Sequence, residues 1–424
     1  MLNKNKQREL AYVTKVLEIK PIPGKDRVEA VRVNGWWIMC KKGDFKVGDP
    51  AIYFEVDSQV PSIEAFEFLK NKKYHIKTQK YKAGEDYFYS QGLLMTGESF
   101  GWEREKTGFY DGKNFHEMDN IENMFVTDVL GVVHYQPDNF EKKCGTAPMT
   151  PRDRCLRNIG PAMGRFPLRQ IAKTELGKNI IYFVGKHFIK CESTKFPTHM
   201  QWVVPTDQER CENNPSILDK DTTWIKTQKC DGTSCTYILE RKKSIFNHNK
   251  YEYYVCSRNV RQLSRDTKNY HTKVNGLESN FYWELNDKYN IYQVLKKYMD
   301  NHPETPYIAL QGEGCGPKIQ KNPHHLKNNH LFVFHIIDHN GRWTMNEVEK
   351  FCVQNKLEHV PIIDWDYRLP KDMETLKRFA DGYYDSSCCE NQNGIRREGF
   401  VYYDNNDPSC SYKNVSREYL AKKG

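Results

Sequence analysis

Between Tyr12 and Ser58 the chain reverses direction about every ten residues, and no other feature limits its fold so strongly. Ala11 to Ile19 carries apolar Val13, Leu17 and Ile19 with polar residues between them, and Pro21-Ile22-Pro23-Gly24 ends the run. Val28 to Val33 alternates up to Asn34-Gly35, a dipeptide suited to a two-residue hairpin because its backbone tolerates positive φ, and Trp36 to Cys40 follows. Turns at Lys42-Gly43-Asp44 and Val47-Gly48-Asp49 lead into a further strand, Ala51 to Asp57. Short strands at this spacing predict a small closed barrel. Trp36 and Trp37 point to opposite faces of their strand, so one of them is either free to stack on a base or packed against a neighbouring segment.

Beyond the barrel the pattern loosens. Residues 64 to 86 read as a loop excursion with interleaved Lys72, Lys73, Tyr74, Lys77, Lys80, Tyr81 and Lys82. Two readings stand for it: a solvated loop, or one whose lysines follow a phosphate backbone while its rings stack on bases. Ser90 to Met95 resumes the strand pattern, and Asp119 to Tyr135 reads as a last helical turn and strand. Residues 141 to 179 hold nine basic side chains, broken by Pro148, Pro151, Pro161 and Pro167, and form a basic linker, either a tether or a nucleic-acid contact. From Asn179 a larger mixed region begins. A hairpin is expected at 180 to 191 and strands at 235 to 239 and 251 to 256. Helices are expected at 291 to 299, after a capping-box start at Thr344 to Glu347, and at 371 to 380 before Gly382.

At 424 residues two domains and a connecting region are expected, here 1 to 140, 141 to 179 and 180 to 424. The formal net charge of +9 suits a polyanionic partner as well as plain solubility. Thirteen cysteines without a Cys-x-x-Cys exclude a zinc ribbon and a disulfide framework. No apolar run is long enough to span a bilayer, and the start lacks an apolar leader core, so a soluble intracellular protein, cytoplasmic or nuclear, with no membrane partner is expected.

Chemistry enters with Lys229-Cys230-Asp231-Gly232. An ordinary lysine, with a pKa near ~10.4, needs burial, a metal ion or a second cation to become a nucleophile at neutral pH. Lys-x-Asp-Gly alone arises by chance in roughly one such chain in ten. Here it is followed in order by Ser257-Arg258-Asn259, Gln311-Gly312-Glu313-Gly314, the apolar strand Phe332 to Ile337, Arg397-Glu398-Gly399 and Ser411-Tyr412-Lys413.

That succession resembles the motifs of the covalent nucleotidyltransferases, the superfamily of polynucleotide ligases and capping enzymes. Phe196-Pro197, Pro205 to Arg210 and Gly316 to Asn322 narrow the resemblance to nick-sealing RNA ligases with an N-terminal OB domain, and residues 9 to 61 look like that domain. The fold implied is α+β: an OB-fold barrel, then an ATP-grasp-like nucleotidyltransferase domain of antiparallel sheets with flanking helices. The resemblance implies ATP and a divalent metal, Mg or Mn, as cofactors, and RNA, as a nicked duplex or RNA ends, as partner of a monomeric enzyme. It makes Lys229 the nucleophile, places Lys413 on the α-phosphate, and gives Arg210 and Arg258 other phosphates or the ribose. Glu313 would bind ribose hydroxyls, Phe334 would stack on adenine, and Glu398 would bind the metal. Asp231, ahead of Gly232, is either a second acid at the lysine or the residue that pins the glycine turn. The superfamily's second motif lysine is replaced by Ser411, with Lys318 and Lys321 as stand-ins. Within the same superfamily a DNA ligase and an mRNA guanylyltransferase are the rivals, and outside it an RNA-binding protein with a decayed enzyme domain.

Overall fold

The computed structural model describes residues 1–3, 7–105, 108–110, 113–117, 125–135, 174–177, 179, 200, 203, 206–242, 250–258, 260–262, 280–384 and 394–423. The chain forms two compact units: Met1–Gln136, Pro205–Ser234 and Leu310–Gly424 in the first, Pro137–Val204 and Cys235–Ala309 in the second. The barrel and two stretches of the Lys229 half pack as one unit, because buried polar side chains tie them together. Most of the basic linker and the hairpin at 180 to 191 lie outside the described residues.

In the first unit, the expected strand over residues 11 to 19 is two, β1 (Ala11–Lys15) and β2 (Glu18–Ile22). They are followed by β3 (Lys25–Val33), β4 (Trp36–Lys41), β5 (Pro50–Phe54) and β6 (Ser58–Gln59). Next come β7 (Thr78–Ala83), β8 (Asp86–Gln91) and β9 (Leu93–Met95). Two antiparallel sheets, β1-β5-β9 and β2-β3-β4, pack across a core that includes Tyr12, Val31, Val33, Trp36, Ile38 and Tyr53. Asn34 takes φ 48° at the β3–β4 turn, as its hairpin signal predicts. Trp36 is fully buried and Trp37 half-buried, with the Lys20 ammonium 3.9 Å from its ring centroid.

Strand β5 is buried on both faces, and its Ile52 and Phe54 belong to a second core. The stretch after residue 64 supplies that core. Rather than a loop it is a 3₁₀ helix, Glu64–Lys72, that inserts Phe66 and Leu69, followed by Tyr74 and Ile76 and then by the hairpin β7–β8. A sheet with apolar residues on both faces needs cover on both. Small strands β10 (Glu103–Glu105), β11 (Gly108–Tyr110), β12 (Phe115–Glu117) and β13 (Val133–His134) complete this part.

The chain re-enters the unit with β14 (Glu209–Arg210) and β15 (Trp224–Gln228), and β16 (Thr233–Lys242) carries it into the second unit. There β16 pairs antiparallel with β17 (Lys250–Cys256), and helices α1 (Phe281–Tyr289) and α2 (Ile291–Asn301) follow. Ile291, Leu295 and Met299, four residues apart, are the buried stripe of α2. Strand β18 (Tyr307–Cys315) returns to the first unit, beside β19 (His330–Asp338), which pairs with β20 (Gly341–Arg342). Helix α3 (Met345–Gln354) starts with the expected capping box between Thr344 and Glu347. Then come β21 (Glu358–His359), β22 (Ile362–Tyr367), α4 (Met373–Ala380), β23 (Gly399–Asp404), β24 (Ser411–Val415) and α5 (Arg417–Lys423). The sheet β14-β24-β23-β15-β22 places the ends of β15, β23 and β24 together. The architecture is α+β with mainly antiparallel sheets. Among the described residues no helix is long and apolar enough to cross a membrane.

Candidate active site

Lys229 follows the last residue of β15, whose Gln228 sits opposite Phe400 of β23. That register brings residue 229 beside the head of β23, where the Lys229 N–H donates to the Gly399 carbonyl at 3.0 Å. The Lys229 Nζ then lies 2.8 Å from Glu398 Oε1. Burial by itself would lower the lysine's pKa, but the carboxyl groups of Glu398, Glu313 and Asp231 outweigh it and hold the ammonium above its ordinary range. Lys229 is thus held charged in this structure, the reverse of the activation that burial would give a lone lysine.

The residues after Lys229 are gripped from three sides. The Asp231 N–H donates to Nε2 of the fully buried His324 at 2.9 Å, and the Tyr419 hydroxyl donates to the Asp231 carboxylate. The Gly232 N–H donates to Glu313 Oε1 at 3.0 Å. A Cβ at Gly232 would collide with the Gly314 carbonyl, so only glycine lets this turn approach β18. Tyr384 bridges the two sides of the site. Its hydroxyl donates to the Lys229 carbonyl at 3.3 Å and accepts from the Glu398 N–H at 3.2 Å. The Glu313 carboxyl is pushed up to about 8 by burial and by the neighbouring Glu398 and Asp231, with Lys229 opposing.

Two further cations stand on the same sheet. Lys413 of β24 sits beside Arg210 of β14 in parallel register, and its ammonium is 3.0 Å from Asp207. Burial brings Lys413 down to about 8, against the pull of Asp207. Arg210 is buried with its guanidinium 5.5 Å from the Trp36 ring and 3.9 Å from Asp57, and its Nε and Nη1 have no hydrogen-bond partner among the described residues.

Position 411 holds a serine, and a cation nonetheless reaches it. The Arg342 guanidinium, from β20, donates to Ser411 Oγ and to the Ser409 carbonyl, both at 3.4 Å. Lys318 and Lys321, the expected stand-ins, are exposed in the turns after β18. Arg258 belongs to the second unit and is exposed beyond β17. Phe334 is buried on β19 with its ring 4.9 Å from that of His335, whose Nδ1 lies 3.2 Å from Gln311 on β18.

For a divalent cation the donor set is sparse but suitable. Glu398 Oε2 is buried with no hydrogen-bond partner, while Oε1 faces Lys229. Among the described residues no group of three or more His, Cys, Asp or Glu side chains is arranged to hold a metal. One free carboxylate oxygen fits an ion such as Mg²⁺, which keeps several waters. His324, Tyr384, Tyr419 and Arg342 carried no recognisable sequence signal.

Residues 10–94 match the model of an OB-fold domain and residues 222–422 that of the RNA ligase family. No curated protein sequence matches the chain. Solved structures of an RNA ligase from Naegleria gruberi are similar over nearly the whole length. One, a lysine-to-methionine mutant with AMP and Mn, has a TM-score of 0.66 at 24% identity, covering 98% of this chain and 99% of that one. Another, with PPi, has the same values. A third, an arginine-to-alanine mutant with ATP and Mn, has a TM-score of 0.65 at 25% identity and the same coverage. The chain thus joins an OB-fold domain to an RNA ligase domain, within a fold shared from end to end with the Naegleria structures.

Proposed function

We propose that the protein is an ATP-dependent RNA ligase that works through a lysyl-AMP intermediate at Lys229 and seals a 3′-OH to a 5′-phosphate in RNA or an RNA-containing duplex. The observation that carries this reading is Lys229 held 2.8 Å from Glu398, with Glu313 of β18 bonded to Gly232 and with Lys413 and Arg210 on β24 and β14 of the same sheet. That the Naegleria enzyme was solved with ATP, AMP, PPi and Mn supports it.

In the first step the Lys229 ammonium loses its proton, for which Glu398 is the adjacent acceptor, and the amine attacks the α-phosphorus of ATP. A P–N bond forms and pyrophosphate leaves. Phosphoryl transfer is chiefly a matter of position and charge, so Lys413 and Arg210 are assigned to the phosphates. Arg342, on the β24 side, joins them at the place left by Ser411. Glu313 holds the Gly232 turn and faces the ribose. Glu398 Oε2 would hold a divalent cation, which would supply positive charge to the phosphates. The AMP then passes to an RNA 5′-phosphate, and the 3′-OH attacks that phosphate with release of AMP. Arg258 is kept as a candidate ribose or phosphate contact of the second unit.

Incubation with α-labelled ATP and Mg or Mn is expected to label the chain, and Lys229→Ala to abolish the label. A label that persists in that variant overturns the reading. Labelling by GTP in place of ATP would indicate a capping enzyme, and equal sealing of all-DNA nicks a DNA ligase. Tight RNA binding without any nucleotide label would indicate a decayed enzyme domain.

A further inference from the structure

The hairpin β7–β8 has two unlike faces. Its register sets Lys80 opposite Tyr89, Tyr81 opposite Phe88 and Lys82 opposite Tyr87, and opposed residues share a face. Ala83 and Phe88 pack inward against Ile22, Ala30 and Trp37. The other face carries Lys80, Lys82, Tyr87 and Tyr89. Both lysines are exposed, and Tyr87 is 57% exposed. The Lys80 ammonium lies 3.9 Å from the Tyr87 ring centroid and 5.5 Å from that of Tyr89. Acidic residues on the hairpin, Glu85 and Asp86, are confined to its turn.

This face leads to the candidate active site. Tyr89 meets the Arg417 guanidinium at 5.1 Å, and Asp381 and Glu374 hold that guanidinium in place. Arg417 begins α5, which packs along β7, and two residues later Tyr419 hydrogen-bonds to Asp231 in the turn that follows Lys229. Helix α5 thus links the hairpin to the turn that follows Lys229. Tyr87, exposed beside Lys80 and Lys82, matches a strand that offers phosphates and unstacked bases together.

We propose that the Lys80, Lys82, Tyr87 and Tyr89 face binds a single RNA strand that adjoins the adenylyl-transfer site. The proposal rests on the RNA ligase reading and adds a place for the substrate to it. The lysines meet phosphates and the Tyr87 ring stacks on a base. A strand with paired bases offers no free ring face, so the site selects unpaired RNA.

The test uses the full chain and a 5′-phosphorylated single-stranded RNA of mixed sequence, with binding read by fluorescence anisotropy across a salt series. Self-labelling with α-labelled ATP is measured on every variant and is expected to equal the wild type. Tyr87→Ala is expected to weaken RNA binding at least about fivefold, and Tyr87→Phe, which keeps the ring, to bind as the wild type. Lys80→Ala with Lys82→Ala is expected to weaken binding and to reduce the slope of log affinity against log salt by about 1.4. Wild-type RNA affinity in all these variants overturns the proposal. So does an equal loss toward a blunt RNA duplex, or a loss from the lysine changes alone. Failure of the wild type to label or seal would count against the ligase reading, whereas a labelling, sealing enzyme with unaltered variants counts against this surface.

Discussion

Glu313 keeps its proton to about pH 8 because it is buried beside Glu398 and Asp231. In the unfolded chain it would release the proton near pH 4.5. Between those two values the folded state binds more protons than the unfolded state, so this group's contribution to stability falls as pH rises from about 4.5 to 8. Glu313→Gln keeps an acceptor for Gly232 and has no proton to lose. Urea unfolding at pH 5, 6.5 and 8 is expected to show the wild type losing stability relative to the variant by a few kcal/mol, and a parallel pair of profiles would refute this. Arg342 is the second single-residue test. Among the described residues its side chain donates to neutral oxygens, of Ser409 and Ser411, and burial lowers its pKa, so its charge is available to a phosphate. Charge-assisted hydrogen bonds are worth about 1.5–3 kcal/mol. Arg342→Ala is therefore expected to raise the KM for ATP in self-labelling about tenfold or more, with Arg342→Lys recovering part of the loss. An unchanged KM would leave position 411 without a replacement cation. Lys229 and Glu398 stand in short motifs beside strand ends and Lys413 in one within β24, so a local pattern marks each. His324, Tyr384 and Tyr419 lack one. Their bonds to the nucleophile turn span 93, 155 and 188 residues, and no local pattern marks a side chain whose partner is that remote.

At the scale of elements, the β3–β4 hairpin was readable from Asn34-Gly35, but its second function was not. Gly35 donates its N–H to the Glu212 carbonyl at 2.7 Å, and a Cβ there would meet the Glu212 backbone at 2.8 Å, so the turn is a docking surface as well as a reversal. Beside it Asn213 joins the barrel to the stretch that bears Arg210. Its Oδ1 accepts from Trp36 Nε1 at 2.6 Å and from the Tyr12 hydroxyl at 3.1 Å. Its Nδ2 donates to the buried Glu55 at 2.7 Å and to Glu209 at 2.8 Å. Asn213→Leu leaves two donors and two carboxylates short of a partner in a dry interface, and the expected cost is about 3 kcal/mol or more by urea unfolding. A change below about 1 kcal/mol would show that water replaces the amide there. The 3₁₀ helix Glu64–Lys72 teaches the same lesson. Its lysines made it read as a loop, while Phe66 and Leu69 close the second core of β5.

Over the whole molecule, the boundary between units falls where composition gave no sign of it. Strands β16 and β18 both begin in one unit and end in the other, and the barrel shares its unit with both later stretches that carry the candidate site. Lys377 of α4 is an instance. It is fully buried, its ammonium donates to the Gly35 carbonyl of the barrel at 3.2 Å, and burial lowers its pKa against the pull of Glu212. A sequence marks such a residue only as a charge on an amphipathic helix. What the sequence by itself determined was the set of local elements, the α+β class and the order of the motifs around Lys229, because alternation, turn residues and caps act over a few neighbours. What only the tertiary structure decided was how those motifs meet. Lys229 is held charged by Glu398 and Arg342 comes to Ser411, because each depends on register and burial between segments far apart in the chain.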